Sequence, residues 1–531
     1  MRLLGSSQTT QATYSIRWLS ADGIRDYTAK EFETRVDFEK KALSQIGIRP
    51  GTKVGIRGDN SFLWMVSDVA LAELGAVSVV FPAEFNDHAL EDLISTYGLS
   101  FCLLSDAAPK NGQTRSDVAT MGQIDPNRHK TSAVENDPYP VTDDDHSFVF
   151  SSGTSGAFKG MVISQKGILD QVETFCDALG ITGEDCMLLF MPFSSLQNRV
   201  MYYGGIMRNL DIVVAPSTQL LDGLKQFRPT FLVAPPIFYE AVEKSIKAAL
   251  ARTPAVARIA LFIASALART IRIVGGTSTS SRLLHSVYAK AHAVFGGRMR
   301  VMVTGMAKIG PSTLEFYESL GLPLVQVYGL TECGVVCVNT LSNNQIGTVG
   351  RPLAGNTISI ADDGEIVVHK DAPQTSRFFH FEESSEDTRF EGGGVYTGDL
   401  GHLSEDGTLT LVGRKKSTIV GHSGVKVQPE PIEKVLEESM LISKAVLVGL
   451  DNGRSLGIVL QTTRRLTKPE LAPLENDARN IVGSMATSFK DHLRLSVCDE
   501  DFTTENGLLT RNLKINRHAV RARFFEGAPA A

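Results

Sequence analysis

The fold is decided by residues 147–170, whose sequence is SFVFSSGTSGAFKGMVISQKGILD. An apolar run typical of a buried strand leads into a loop rich in serine and glycine, and a helical pattern begins after Lys159. The backbone N–H groups, hydroxyls and ammonium of such a loop suit the oxygens of a polyphosphate. Taken alone, this segment is also compatible with a plain Ser/Gly loop that binds no phosphate. A Walker A loop is excluded, because Lys159 follows Phe158 and precedes Gly160.

Short apolar runs alternate with helical patterns on both sides of this loop. Strands are predicted over 54–58, 76–81, 101–105, 147–150, 187–191, 211–215, 230–234, 299–305 and 324–329. This alternation predicts an α/β fold, with a large N-terminal part built of doubly wound mixed sheets. Residues 105–145 are rich in Asp, Pro, Asn and Thr and are predicted to be an exposed connection.

The pattern changes twice toward the C-terminus. Between 347 and 412, short strands flank Asp-Gly pairs at 363–364 and 406–407, which predicts a small antiparallel β unit with hairpins. From 418 to 531 a compact α+β tail is predicted. Its helices are expected over 429–440 and 476–494, and its strands over 444–450 and 455–463.

Composition and charge narrow the class of protein. Of the 531 residues, 43% are hydrophobic and 21% are charged, which excludes wholesale disorder. Lys and Arg number 53 against 59 Asp and Glu, so the net charge of −6 offers no broad basic field, and nucleic acid is not an expected partner. Six scattered cysteines and an N-terminus without an apolar signal core favour a cytoplasmic protein. Cys333 and Cys337 are interpreted as buried thiols rather than zinc ligands.

The segment 251–276 is the most membrane-like part of the sequence. Its longest uncharged run, between Arg258 and Arg269, has ten residues. A bilayer requires roughly 20, so a core or surface helix is the preferred interpretation. Because arginines flank the apolar stretch, weak membrane-surface contact through 251–276 is left open.

Two further motifs carry chemistry that suits a nucleotide. The sequence Tyr328-Gly-Leu-Thr331-Glu332 follows a predicted strand, and ligands bind at the carboxyl ends of strands in open α/β sheets. The sequence YTGDLG at 396–401 places Asp399 in a tight loop, where a carboxylate suits two vicinal sugar hydroxyls. Taken alone, each motif is as compatible with an ordinary turn as with a nucleotide site.

The order of the motifs is more specific than any one of them. Along the chain they are SSGTSGAFKG, YGLTE, GTVGRP, YTGDLG, GRKKSTIVGHSGVKVQPEPIE and ENGLLTRNLKINR. This succession resembles the adenylate-forming superfamily of acyl-CoA synthetases, luciferases and nonribosomal adenylation domains. The resemblance extends from about residue 30 to the C-terminus and is closest to long-chain acyl-CoA synthetases.

The resemblance implies an ATP-dependent ligase that adenylates a carboxylic acid, releases pyrophosphate and transfers the acyl group, with CoA as the expected acceptor. It implies that Thr331 binds the α-phosphate and that Glu332 holds Mg²⁺. Lys514 matches the family's catalytic lysine, which stabilises the charge that develops at the α-phosphorus. The remaining ATP-binding residues that it implies are Ser152, Gly153, Thr154, Ser155, Gly156 and Lys159 on the phosphates, Tyr328 on adenine, and Asp399 with Arg414 on the ribose.

The resemblance also implies a division of the chain into moving parts. Residues 1–413 would form the N-terminal AMP-binding domain, 414–417 the hinge, and 418–531 a mobile C-terminal domain. Lys416 falls at the hinge position, about which the C-terminal domain turns between adenylation and thioester formation.

The departures from the family pattern cluster around the acid and the acceptor. Ser195 stands where related synthetases usually have histidine, and the loop after Gly305 carries Met306 and Lys308 instead of a small residue and proline. These four residues are the predicted substrate pocket. A long-chain acid is therefore one candidate substrate beside a short or aromatic acid. A carrier protein or an amine is an alternative acceptor to CoA. Activation of nitrite for coupling to an arylamine is an alternative reaction. A non-catalytic nucleotide sensor is the competing class.

Overall fold

The structure is a computed structural model, and it describes residues 12–20, 23–105, 116–134, 137–152, 158–252, 284–285, 287–379, 388–422, 424–503, 505–509 and 515–526. The first half of the chain alternates strands and helices. In order these are β1 (Ser15–Ser20), β2 (Gly23–Thr28), α1 (Ala29–Gln45), β3 (Lys53–Arg57), α2 (Phe62–Leu74), β4 (Val77–Phe81), α3 (Leu90–Tyr97), β5 (Phe101–Leu104), β6 (Val118–Thr120), β7 (Asp145–Ser152), β8 (Phe158–Ser164), α4 (Gln165–Ala178), β9 (Cys186–Leu189), α5 (Leu196–Met207), β10 (Asp211–Val214), α6 (Leu220–Phe227), β11 (Phe231–Ala234) and α7 (Pro236–Ala251).

The second half contains the remaining described elements. They are α8 (Ala289–Val294), β12 (Val301–Thr304), α9 (Pro311–Ser319), β13 (Leu324–Leu330), β14 (Gly334–Val338), β15 (Arg351–Pro352), β16 (Asn356–Ile360), β17 (Glu365–Lys370), β18 (Thr375–Phe379), β19 (Arg389–Glu391), β20 (Gly394–Leu403), β21 (Leu409–Arg414), β22 (Ile419–Val420), β23 (Lys426–Val427), α10 (Pro429–Glu437), β24 (Ile442–Leu450), β25 (Ser455–Thr462), α11 (Lys468–Met485), β26 (Leu493–Cys498) and α12 (Arg517–Phe525).

Two large mixed sheets form the N-terminal part. Nine strands are ordered β15-β14-β13-β12-β11-β9-β10-β1-β2, with β13 to β1 parallel and antiparallel strands at both edges. Seven strands are ordered β18-β8-β7-β4-β3-β5-β6, parallel from β7 to β6. The predicted α/β class with doubly wound mixed sheets is confirmed, because apolar runs such as β3 and β4 are buried on both faces.

The small antiparallel unit is also confirmed. Strands β16, β17, β20, β19 and β21 form it, and both predicted Asp-Gly pairs lie in its hairpin connections. One strand of this stretch departs from the unit, because β18 leaves it and pairs with β8 of the seven-stranded sheet. No motif in the sequence marks this crossing.

Four local predictions need correction. The helix predicted to begin after Lys159 begins at Gln165, because Phe158–Ser164 form β8 and pair with β7. Asp399, predicted in a tight loop, lies within β20 and is paired with Arg414 of β21.

The connection predicted over 105–145 contains β6, which continues the parallel ladder of β5. The long helix predicted over 476–494 runs instead from Lys468 to Met485, since Thr467 and Glu470 form a capping box that starts it earlier. Residues 493–498 become β26, which pairs with β25.

Apolar cores separate near the predicted hinge. The clusters containing Leu447 and Val446 draw their residues from 419 onward, while the clusters of the two large sheets and the small β unit end by residue 411. The domain limits 1–413 and 418–531 stay predictions, supported by this separation. In the described part of the chain, no helix is long and apolar enough to cross a membrane. Most of the segment 251–276 lies outside the described residues.

Candidate active site

The candidate site lies where β13 ends. Strands β9, β11, β12 and β13 run parallel, so their carboxyl ends meet at one edge of the nine-stranded sheet. The segments that follow three of these strands carry Ser195, Met306 and Thr331. Thus the fold places residues of the predicted substrate pocket and of the predicted phosphate site along the same edge.

Thr331 and Glu332 occupy a turn that β18 holds from the side. The Thr375 backbone N–H donates to the Glu332 carbonyl at 2.9 Å, and the Thr375 hydroxyl donates to the Thr331 carbonyl at 3.0 Å. The Gln374 amide also donates to the Thr331 carbonyl, at 3.3 Å. These bonds fix the backbone of the turn and leave the Thr331 and Glu332 side chains to the site. No motif marked Gln374 or Thr375 in the sequence, because their contact depends on β18 joining a distant sheet.

Lys159 reaches the Glu332 carboxylate from β8. Its Nζ lies 2.8 Å from Glu332 Oε1, and the side chains are only 8% and 9% exposed. The same ammonium lies 3.8 Å from the centroid of the Phe378 ring on β18. The structure thus brings together two residues predicted for the phosphate and metal sites, although 173 residues separate them.

Tyr328, Asp399 and Arg414 form a second group beside this pair. The Tyr328 hydroxyl donates to Asp399 Oδ2 at 2.8 Å, and Arg414 Nε lies 2.7 Å from Asp399 Oδ1. Burial, reinforced by the neighbouring Asp399 carboxylate, raises the pKa of Tyr328 well above its ordinary value, so the phenol stays protonated and donates. Asp399 is therefore oriented from both sides. The Tyr328 ring is 7% exposed in an apolar cluster, and its stacking on adenine stays a prediction.

The predicted magnesium ligand is a single buried carboxylate. In the described part of the chain, no group of three or more His, Cys, Asp or Glu side chains is arranged to hold a metal ion. One carboxylate fits Mg²⁺ when the substrate's phosphate oxygens complete the coordination. Cys333 and Cys337 are fully buried thiols, as predicted.

The loop after β12 has an unusual backbone. A Cβ at Gly305 would lie 2.8 Å from Val327 Cγ2, so the chain passes close against β13 there. The next residue, Met306, has φ +67°, a left-handed conformation that costs a residue with a side chain of the order of 1 kcal/mol or more, and its side chain is 50% exposed. Such strain is typical of functional segments.

The other predicted pocket residues, Lys308 and Ser195, follow β12 and β9 at the same edge of the sheet. Lys308 is half-buried, and burial lowers its pKa while Glu430 opposes and Lys434 reinforces that shift. Ser195 is the N-terminal cap position of α5, and its hydroxyl donates to Gln197 Oε1 at 2.7 Å. The position of these side chains relative to an acid stays a prediction.

The predicted hinge follows β21 directly. Lys415 is anchored to the small β unit by Asp363 at 2.6 Å and Glu365 at 3.0 Å. Lys416 is the next residue, exposed and in a turn. An exposed residue in a turn just after β21 is a suitable position for a pivot, and the hinge role of Lys416 stays a prediction.

Several predicted residues lie outside the described part of the structure. They are Gly153, Thr154, Ser155, Gly156 and Lys514, together with the side chain of Ser152. Their roles stay predictions. The described site therefore consists of Lys159, Glu332 and Thr331 on one side and Tyr328, Asp399 and Arg414 on the other.

The chain is similar to known proteins in both sequence and structure. The family model described as AMP-binding enzyme matches residues 7–373. The long-chain-fatty-acid–CoA ligase FadD15 of Mycobacterium bovis is 28% identical, covering 95% of this chain and 92% of its own. The long-chain-fatty-acid–[acyl-carrier-protein] ligase AEE15 of Arabidopsis thaliana is 23% identical, covering 94% and 82%. The o-succinylbenzoate CoA synthetase MenE of Bacillus subtilis, solved with an acyl-adenylate, superposes with a TM-score of 0.72 at 18% identity, covering 98% and 97%.

Proposed function

Since this chain belongs to the AMP-binding enzyme family, we propose that it is a ligase that uses ATP to adenylate a carboxylic acid and then transfers the acyl group to CoA. Family membership confirms the resemblance to adenylate-forming enzymes and the expectation of an enzyme. The acid, the acceptor and the role of each residue belong to the proposal.

The observation that carries the proposal is the joint placement of the two charged groups around β13. Lys159 and Glu332 meet at the end of that strand, and Tyr328 on the same strand donates to Asp399. A nucleotide spanning them would place its ribose on Asp399 and its phosphates near Lys159. The two vicinal hydroxyls of Mg·ATP match the Asp399 carboxylate as an acceptor, and its chain of anionic oxygens matches the Lys159 ammonium.

Each residue has a definite task in this proposal. Asp399 accepts hydrogen bonds from the ribose hydroxyls while Arg414 holds its carboxylate in place. Thr331 donates to the α-phosphate, and Lys159 neutralises charge on the outer phosphates. Mg²⁺ held by Glu332 would offset phosphate charge during the transfer. Lys514 would approach the α-phosphorus from the C-terminal part, and loss of such a stabilising cation costs about 10²–10³ in rate.

A long-chain fatty acid is the first candidate substrate, because FadD15 is named for that acid and is similar over 95% of this chain. Met306 and Lys308 stand where the family usually has a small residue and proline, which favours a pocket that differs from that of such a relative. A carrier protein is the second candidate acceptor, since AEE15 is named as an acyl-carrier-protein ligase.

The experiment is pyrophosphate release with ATP and Mg²⁺ across a panel of fatty, aromatic and amino acids, and nitrite with an arylamine. Each reaction is run with CoA, with acyl carrier protein and with neither. Release that depends on one acid, with a CoA thioester in the mass spectrum, supports the proposal and identifies the acid. Pyrophosphate release that does not depend on CoA would support the adenylation step and would show that the acceptor is not CoA.

Three further outcomes complete the test. Tight Mg·ATP binding without pyrophosphate release under any condition would favour the nucleotide sensor. Absence of Mg·ATP binding altogether would overturn the proposed site, and Lys514→Ala indistinguishable from the wild-type enzyme would remove that lysine from the mechanism.

A further inference from the structure

Phe378 has no role in any motif, yet its ring lies directly on the charged end of Lys159. The ammonium is 3.8 Å from the ring centroid. The contact follows from strand register: Phe378 of β18 is paired with Met161 of β8, and Lys159 is two residues before Met161 on the same strand. Side chains two residues apart share one face of a sheet, so Lys159 and Phe378 are diagonal neighbours there.

The contact is shielded from water. Lys159 is 6% exposed, and Phe378 is partly buried against a neighbouring aromatic ring, Phe390 of β19, with centroids 5.1 Å apart. An ammonium over the face of an aromatic ring is attracted by the ring's negative potential, and the attraction grows when water is excluded. The ring of Phe378 therefore replaces part of the hydration that Lys159 lacks.

Lys159 is consequently supported from two sides. Glu332 gives it a full opposite charge at 2.8 Å, and Phe378 gives it a neutral, polarisable surface. The two contacts differ in how Mg²⁺ binding affects them. A carboxylate that binds Mg²⁺ is withdrawn from the lysine, whereas an aromatic ring offers no oxygen ligand to Mg²⁺ and can stay on the lysine.

We infer that Phe378 is a positioning residue of the nucleotide site, whose ring holds the Lys159 ammonium toward the phosphates while Glu332 turns to Mg²⁺. This inference rests on the proposed function for the roles of Lys159 and Glu332. Without the ring, the lysine side chain would have to be ordered during nucleotide binding, and that conformational entropy would weaken the affinity.

The test lowers the negative potential on the face of the ring and keeps the shape of the ring. Phe378 is replaced by phenylalanines that bear one, two and three fluorines, and Mg·ATP affinity is measured by isothermal titration calorimetry, which needs no knowledge of the acid. We expect the dissociation constant to rise stepwise, by about 3- to 30-fold across the series, as for loss of a desolvated cation–ring contact. The dissociation constant of Phe378→Leu should rise by a factor in the same range, and that of Phe378→Trp should equal the wild-type value.

The matched control is the same fluorine series at Phe390, which touches Phe378 and is not the ring beneath Lys159. A structural role of the aromatic cluster would make both series behave alike, and that result would overturn the inference. In a Lys159→Met background the Phe378 series should be flat, because the cation is gone.

The remaining outcomes separate the inference from the proposed function. If the wild-type protein binds Mg·ATP and the dissociation constant does not change across the Phe378 series, only the inference is overturned. Wild-type protein that does not bind Mg·ATP overturns the proposed function and the inference with it.

Discussion

Lys434 of α10 donates a hydrogen bond to Glu240 of α7 at 3.0 Å, and this ion pair joins the C-terminal part of the chain to the large α/β part. Glu437 lies 3.1 Å from the same ammonium. Lys308, on the loop after β12, is close enough to Glu430 and Lys434 for its charge to interact with theirs. The helix α10 therefore faces the rim of the predicted acid pocket with charged side chains on both sides of the contact.

Reversal of Lys434 should loosen this contact. In Lys434→Glu two carboxylates face each other, and loss of a partly exposed pair is worth about 0.5–1 kcal/mol. We expect trypsin to cleave the nucleotide-free protein at the hinge lysines roughly two- to five-fold faster, because cleavage follows the population of the open form. The reversed pair Glu240→Lys with Lys434→Glu should restore the wild-type rate.

Glu438→Gln is the control, since Glu438 lies exposed at the C-terminal cap of α10, next to Glu437, and the change adds no trypsin site. It should leave cleavage unchanged. A double variant cleaved as fast as Lys434→Glu would show that the pair does not hold the two parts together.

Lys416→Pro should separate the two half-reactions. Proline fixes φ and restricts the preceding residue, so rotation at this turn is hindered. We expect adenylate formation, measured as pyrophosphate release, to stay near the wild-type rate and thioester formation from preformed adenylate to fall at least tenfold, as gating motions set such steps. Equal loss of both would make the hinge assignment wrong.

Asp399→Asn should weaken nucleotide binding. The amide keeps one acceptor for Tyr328, but it loses the charge that pairs with Arg414 and the second acceptor for the ribose. Hydrogen bonds to a charged group are worth about 1.5–3 kcal/mol, so the dissociation constant for Mg·ATP should rise about 10- to 100-fold. Titration calorimetry measures it. Asp406→Asn makes the same chemical change in the exposed pair with Arg351 and should leave the affinity unchanged.

Met306→Gly should change acid selection more than stability. Glycine relieves a left-handed backbone worth about 1–2 kcal/mol but adds about 0.5–1 kcal/mol of unfolded-state entropy, so the net change in unfolding free energy should be small. Removal of the side chain should extend pyrophosphate release to acids that the wild-type enzyme rejects. Met306→Leu, which keeps the volume, should retain the wild-type range, and an unchanged range in Met306→Gly would place Met306 outside the pocket.

A buried histidine predicts how stability changes with pH. Burial, with the nearby Arg199 charge adding to it, lowers the pKa of His146 well below 6.5. Its Nε2 lies 3.0 Å from the Tyr203 hydroxyl and 3.4 Å from Arg199 Nη2. Below the unfolded pKa of 6.5 the unfolded chain takes up a proton that the folded chain refuses, so stability falls as pH falls, by up to about 1.4 kcal/mol per pH unit.

The measurement is the thermal unfolding midpoint at about pH 7.5 and about pH 5.5, on either side of the ordinary histidine pKa. His146→Gln should remove part of the acid-induced decrease that the wild-type protein shows. His518→Gln changes an exposed histidine and should keep the full decrease. An identical pH response in all three proteins would show that His146 titrates alike in both states.

Much of the site could be predicted because its motifs are local. A strand-then-loop pattern placed Thr331 and Glu332 at the end of a strand, and the Asp-Gly turns predicted the small β unit in which Asp399 lies. Each of these depends on hydrophobic periodicity and turn chemistry within about 10 neighbouring residues. The family resemblance then assigned chemistry to positions that the residues alone left open.

The sequence by itself determined the α/β class and the strand order along the chain, and it predicted the residues that are proposed to face a nucleotide. Only the tertiary structure decided that Phe378 lies over Lys159 and that Lys434 meets Glu240. The physical reason is that β18 crosses from one sheet to another and α10 docks on α7 through contacts between residues far apart in the chain. Such pairings are selected by the packing of the whole molecule, since local propensity does not distinguish among distant partners that fit equally well.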